Sequence, residues 1–248
     1  MVLHDPSGIS AERWLDVGGR TAKHRNMSNP QPVVFEPHSA VPPLERDEVH
    51  VWLIEGPSDT RPRSLSATGQ RALGTLLADY TDRRDAPTIL RGEHGKPYAP
   101  DLDGIQFNLS HSGRHALIAI ARDQPLGVDL EIQGRRRSVD DIAQRYFAVA
   151  ESRALRSLPA ELRDAAFLRL WTGKEAVLKA LGEGLSFGLD RVEFELDGAG
   201  HVVALRHVAS PHAETSGWNW HALHPLAGHH AAVAWHGPAR QLRLMRMP

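Results

Sequence analysis

Three carboxylates and a lysine are spaced in this chain so that one strand and one helix can bring them together. The strand is Leu126-Gly-Val-Asp-Leu-Glu-Ile132, where Leu126, Val128, Leu130 and Ile132 alternate with Gly127, Asp129 and Glu131. Period-two alternation sends the two sets to opposite faces, so Asp129 and Glu131 share one. Two carboxylates about 7 Å apart along a strand repel each other, and an oxygen-preferring divalent cation such as magnesium would neutralise both. A solvated strand face accounts for the same pair without a metal. Gly127 adds a second signal, because glycine weakens a strand interior and marks a place where a ligand or another backbone comes close.

The helix is the run around Trp171-Thr-Gly-Lys-Glu-Ala-Val-Leu-Lys179. Phe167, Leu170, Trp171, Val177, Leu178 and Leu181 recur at helical spacing and define a buried stripe, with Glu175 and Lys179 off its centre. In that order a Glu and a Lys four residues apart are also an ordinary helix ion pair, worth roughly 0.2–0.5 kcal/mol. Lys174 falls within the stripe, so its stem is expected to pack and its ammonium to sit at a rim. Upstream, Phe107-Asn-Leu-Ser-His-Ser-Gly113 and the apolar residues 115–121 read as a hairpin joined through 110–113. That connection offers hydroxyls, an imidazole and backbone N–H groups suited to a phosphate or a nucleobase edge, or it is a polar turn. Gly95-Lys96-Pro97 reads as a loop with a solvated lysine.

Taken in order, G-K-P, F-N-x-S-H-S, G-x-D-x-E and W-x-x-K-E-x-x-x-K resemble the Sfp-type 4'-phosphopantetheinyl transferases over residues 49–235. The resemblance implies an α+β fold of two similar halves packed as a pseudo-dimer, with the active site between them. It implies transfer of the phosphopantetheine arm of coenzyme A to a serine of an acyl, peptidyl or aryl carrier protein, releasing 3',5'-ADP with magnesium. By position it places the metal on Asp129, Glu131 and Glu175, and a pyrophosphate-contacting lysine on Lys179. Lys96, Pro97, Ser110 and His111 match the coenzyme A site, with Lys174 beside them and Arg71 as the arginine of an early basic helix. Glu151, in Arg145-Tyr-Phe-Ala-Val-Ala-Glu151, matches a proposed general base; its position also suits a plain helix N-terminus. The helix before G-K-P is poorer in basic residues than the family pattern, leaving Arg61, Arg63 and Arg71 for the 3'-phosphate, with Arg91 as a substitute. The catalytic set implied is Glu151, Glu175 and Lys179, and loss of Glu175 is expected to hurt more than loss of Glu183. The other readings are a different coenzyme A or nucleotide phosphotransferase, and a non-catalytic coenzyme A- or carrier-binding module.

The rest of the chain must position these groups. With 248 residues, 41% apolar and 24% charged, it can bury a sizeable core, and a formal charge of −1 gives no global field for nucleic acid. Arg135, Arg136 and Arg137 form a local basic patch for an acidic carrier, or a solvated loop. No cysteine occurs, which excludes disulfides, thiol nucleophiles and cysteine-based zinc sites. No apolar run reaches the ~18–20 residues of a membrane span, and a cytoplasmic monomer is the expectation. Residues 1–47, with clustered prolines, read as a loose extension, Met27 as an alternative start, 48–135 as the N-terminal half and 136–248 as the C-terminal half. Eight of the fifteen histidines follow residue 200, without a ligand spacing, and are expected to be surface or packed residues. Gly113-Arg-His-Ala116 and Gly228-His-His-Ala231, each before an apolar run, form a faint internal echo.

Overall fold

The structure is a computed structural model and describes residues 34–57, 62–134, 138–184, 187–209 and 216–247. The possible start at Met27, Arg61, the side chain of Arg63 and the basic triplet 135–137 lie outside the described residues.

The N-terminal half comprises β1 (Glu36–Pro37), β2 (Glu48–Glu55), α1 (Pro62–Tyr80), β3 (Leu90–Arg91), β4 (Pro97–Tyr98), β5 (Ile105–Ser112) and β6 (His115–Arg122). There follow β7 (Leu126–Ile132), α2 (Val139–Tyr146), α3 (Val149–Ser157) and α4 (Ala160–Leu181), then a 3-10 turn, Leu189–Arg191. The chain ends with β8 (Val192–Leu196), β9 (Val202–Val208), β10 (Trp218–Leu223), β11 (His229–His236) and β12 (Gln241–Arg246). One sheet runs β1-β12-β2-β6-β5 and a second runs β10-β11-β7, with β3-β4 and β8-β9 as small ribbons.

Strand alternation builds four layers. Val49, Val51, Leu53, Leu117, Ala119 and Ala121 from the first sheet share a core with Leu126, Val128, Leu130, Val233 and Trp235 from the second. The opposite face of β2 and β6, with Trp52, Ile54, Ile118 and Ile120, packs on Leu73, Leu76 and Leu77 of α1. Ala232 and Ala234, on the other face of β11, pack with Phe167, Leu170 and Val177 of α4. Strands covered on both faces read as continuous apolar runs, which is why β6 lacks alternation in sequence.

The duplication is visible in the topology. A strand, helical segment and hairpin recur as β2, α1, β5-β6 and as β7, α2 to α4, β10-β11, giving sheet orders β5-β6-β2 and β10-β11-β7. Gly113 and Gly228, from the echoed segments, both turn with positive φ (59° and 69°), two residues before β6 and one before β11, the middle strands of β5-β6-β2 and β10-β11-β7. The expected boundary at 135/136 is corrected, since β7 belongs to the second sheet and β12 returns to lie parallel to β2 in the first. The loose reading of 1–47 is corrected for 34–47. Phe35 and Leu44 are buried there, and β1 pairs in parallel with β12. A short proline-bearing edge strand with two apolar anchors carries no periodicity to reveal it.

Gly127 faces another backbone. A Cβ there would lie 2.1 Å from the Ala176 carbonyl oxygen and 2.5 Å from the Ala180 nitrogen, main-chain atoms of α4 that cannot rotate aside. Gly127→Ala is therefore expected to cost about 3 kcal/mol or more by forcing α4 off β7. Urea denaturation beside Gly198→Ala, where a Cβ meets nothing within 4 Å, checks this.

Candidate functional site

The two sheets meet along β5 and β7 through side chains. Asn108 Oδ1 accepts from Val128 N (2.9 Å), Ser110 Oγ from Leu130 N (3.2 Å) and Ser112 Oγ from Ile132 N (3.1 Å). Alternate residues of one strand thus satisfy alternate N–H groups of the other, which would otherwise be buried without partners. Ser110 and His111 lie within β5 and the turn is Gly113-Arg114, so the expected connection through 110–113 is corrected. Asn108 and Ser112 were read from the sequence as motif residues without a strand-joining role; the signal for that role was the period-two polar face of β5.

The same serines reach the acidic face of β7. Ser110 Oγ donates to Asp129 Oδ1 (2.8 Å) and Ser112 Oγ to Glu131 Oε2 (3.4 Å). From α4, Lys179 Nζ donates to Asp129 Oδ1 (2.6 Å) and to the Val128 carbonyl (3.1 Å). Glu175, one turn earlier, is pushed up to about 7, first by burial and then by the Asp129 charge, with Glu131 adding to it and Lys179 opposing. Asp129 Oδ2 is buried with no hydrogen-bond partner among the described residues. Strand and helix therefore gather three carboxylates around one lysine, and the local charge is short of a cation. Among the described residues no three His, Asp or Glu side chains close into a ligand set. The donor chemistry, the orphaned oxygen and the strained ionisation of Glu175 nonetheless fit an oxygen-seeking divalent ion.

Lys96 reaches the seam from the loop before β4. Its Nζ donates to the Leu126 carbonyl (3.3 Å) and the Ala180 carbonyl (3.2 Å), and burial pushes it down to about 8. The solvated-lysine reading is corrected, because the ammonium ties β7 to the C-terminal turn of α4, where a cation meets unpaired carbonyls. Pro97 pairs with Arg91 across β3-β4, and Arg91 itself donates to the Gly95 carbonyl (2.9 Å). His111 is exposed at the end of β5. Arg71 stands apart on α1, over a cavity of about 670 Å³ that Arg83 and Arg84 also line. Those two arginines follow the helix, outside the motif positions.

Glu151 and Lys174 do not join the seam. The Lys174 and Glu151 side chains form an ion pair at 2.6 Å with neither accessible to solvent. Lys174 Nζ also donates to the Leu189 carbonyl (2.9 Å) and the Val192 carbonyl. It lies 4.9 Å from the Phe147 ring centroid. Glu151 accepts from Phe194 N (2.8 Å) and Ala148 N (2.9 Å), and burial pushes its carboxyl up while pushing the Lys174 ammonium down. The rim position expected for Lys174 is corrected. One residue before Glu175 is a rotation of about 100° on a helix, which turns Lys174 away from β7.

On the second sheet His230 stands opposite Glu131 in register, on the same face. It is 6% exposed, and burial, then the Arg169 guanidinium, push it down to about 4. The packed-residue expectation for the histidine-rich tail holds for His229 and His230, both within β11.

The fold is a duplicated α+β one whose halves meet over an acidic strand, β7, and a helix, α4, that carries Lys-Glu-x-x-x-Lys. The 4'-phosphopantetheinyl transferase superfamily model matches residues 125–234, which span β7 to β11. The 4'-phosphopantetheinyl transferase HetI of a Nostoc strain is 41% identical over 181 residues, covering 62% of this chain and 76% of that protein. The 4'-phosphopantetheinyl transferase Sfp of Bacillus subtilis is 37% identical over 111 residues, 44% of this chain and 48% of its own length. The protein slr0495 of Synechocystis is 42% identical over 130 residues, so the chain spans 52% of that relative. The chain belongs to the Sfp-type 4'-phosphopantetheinyl transferase family. No helix among the described residues is long and apolar enough to cross a membrane.

Proposed function

We propose that this chain transfers the 4'-phosphopantetheine arm of coenzyme A to a serine of an apo carrier protein, releasing 3',5'-ADP. The observation that carries the reading is the gathering of Asp129, Glu131 and Glu175 at the seam, with Asp129 Oδ2 buried and unpaired among the described residues and Lys179 against Asp129 Oδ1. Those three carboxylates would hold magnesium, which when bound offsets phosphate charge in the transition state. Lys179 is placed to neutralise the leaving 3',5'-ADP phosphate. Glu151, sealed in the core against Lys174, is kept from reaching the proton of the carrier serine. By motif position Lys96, Ser110 and His111 would serve the coenzyme A side of this reading, with Arg71 farther off on α1. Both walls of the seam come from one chain, which supports a monomer, and the cysteine-free sequence accords with a cytoplasmic location.

Intact-mass measurement of an apo carrier protein incubated with this chain, coenzyme A and magnesium tests the proposal. One added phosphopantetheine, lost with a chelator, supports it; several unrelated carriers left unmodified while coenzyme A binds would overturn it.

The pH dependence of stability follows from Glu175. Its folded pKa, about 7, exceeds its usual 4.5, so between those values the folded state holds a proton the unfolded chain has released. Relative to Glu175→Gln, the wild type is expected to lose stability as pH rises from 4.5 to about 7 and to level off above. Added magnesium should reverse the trend, because cation binding strengthens as the carboxyl ionises. Urea denaturation of both proteins across this range, with and without magnesium, reads out each part.

A further inference from the structure

Both ring nitrogens of His230 are buried without a hydrogen-bond partner among the described residues, and so is Nε of Arg169 on α4. Leaving a buried polar group unpaired is costly, so an imidazole with two unmet nitrogens calls for a physical reason. Its surroundings supply one. His224 meets the ring edge-on at 5.8 Å between centroids, His229 precedes it in β11, and the Arg169 guanidinium is its largest charged neighbour. The acid nearest in the sheet is Glu131, the directly paired residue on β7. Val128 and Leu130 face the inter-sheet core, as do Ala231 and Val233, so Glu131 and His230 point together toward α4. Directly opposed residues of an antiparallel pair have Cβ atoms about 4.5–5.5 Å apart, within reach of both side chains.

The unmet groups are complementary. A neutral imidazole has one donor and one acceptor, and Arg169 Nε–H is a donor. We propose that His230 is a positioning residue for Glu131, accepting from Arg169 Nε–H on one ring nitrogen and donating from the other to the Glu131 carboxylate. The inference rests on the cation-binding reading of Asp129, Glu131 and Glu175. A buried donor on Glu131 would oppose the repulsion among three clustered carboxylates, adding to Ser112 Oγ, which donates to it over 3.4 Å. Hydrogen-bond partners that orient metal-binding carboxylates are worth about 10–100-fold in metal affinity.

The test is manganese titration of the full chain in the presence of coenzyme A, comparing the wild type with Glu131→Gln, His230→Leu and His230→Gln. His230→Leu is expected to weaken manganese affinity about tenfold, with thermal unfolding establishing that the variant is folded. His230→Gln, which keeps a donor and an acceptor, is expected to recover most of the affinity. A second readout needs no variant at this position: the His230 ring nitrogen shifts of the wild type should move on adding magnesium, and should not in Glu131→Gln. Wild-type affinity in His230→Leu, or ring shifts indifferent to magnesium, overturns the inference while leaving the cation reading intact. A wild type that binds no manganese, even with coenzyme A, overturns both.

Discussion

Glu175→Ala is expected to lower turnover on the order of 10³-fold, because a lost ligand at a phosphoryl-transfer centre forfeits several kcal/mol of transition-state stabilisation. The same variant should melt no lower than the wild type, and higher above neutral pH. Glu175 is a carboxyl raised to about 7 by burial and by Asp129, so its ionised form works against the folded state. Removing it relieves Asp129 and leaves Lys179 on Asp129 at 2.6 Å. Activity and stability therefore move in opposite directions, a signature that a merely structural helix ion pair with Lys179 would not give. Turnover of an apo carrier protein with coenzyme A, measured beside thermal unfolding, checks both at once, with Glu183→Ala as a control that keeps turnover. Activity falling only as far as stability falls would remove Glu175 from the chemistry.

The acidic strand was legible because its signal is local. Alternation along 126–132 put Asp129 and Glu131 on one face, and Gly127 announced the close backbone that proved to be α4. Helical spacing likewise set Glu175 and Lys179 one turn apart. What the sequence could not show depends on contacts remote in the chain. The zipper of Asn108, Ser110 and Ser112 onto β7 joins residues about 20 positions apart across two sheets. The burial of Lys96 depends on Ala180, 84 residues away. The return of β12 beside β2 has no local pattern to announce it, since a strand's sequence does not name its partner. Lys174 was misplaced for a related reason. A lysine in an apolar stripe ordinarily carries its charge to a rim, and here Glu151, two carbonyls from the 3-10 turn and β8, and the Phe147 ring make complete burial tolerable.

That pair yields the other large effect. Lys174→Ala is expected to destabilise the chain by about 3–5 kcal/mol, since it strands the Glu151 carboxylate in the core, and Glu151→Ala should do likewise to Lys174. Losses of that size are a large share of a domain's total stability, so both single variants should express poorly or unfold near ambient temperature. Exchanging both partners for apolar residues of similar length, Glu151→Met with Lys174→Met, removes both stranded charges and is expected to recover most of the loss. The double variant then separates the two roles these residues have been given. If Glu151 took the serine proton, or Lys174 held coenzyme A, a folded double variant would still lose turnover or raise the KM for coenzyme A. If instead the pair clamps α4 to α3, the 3-10 turn and β8, the double variant should keep both constants near wild type. Only the orientation of Glu175 and Lys179 toward β7 has to survive, and the Phe147, Phe167 and Trp171 cluster around the site of the lysine supplies the packing to preserve it. Steady-state kinetics on the double variant, after urea denaturation has established that it folds, decide between a catalytic pair and a clamp.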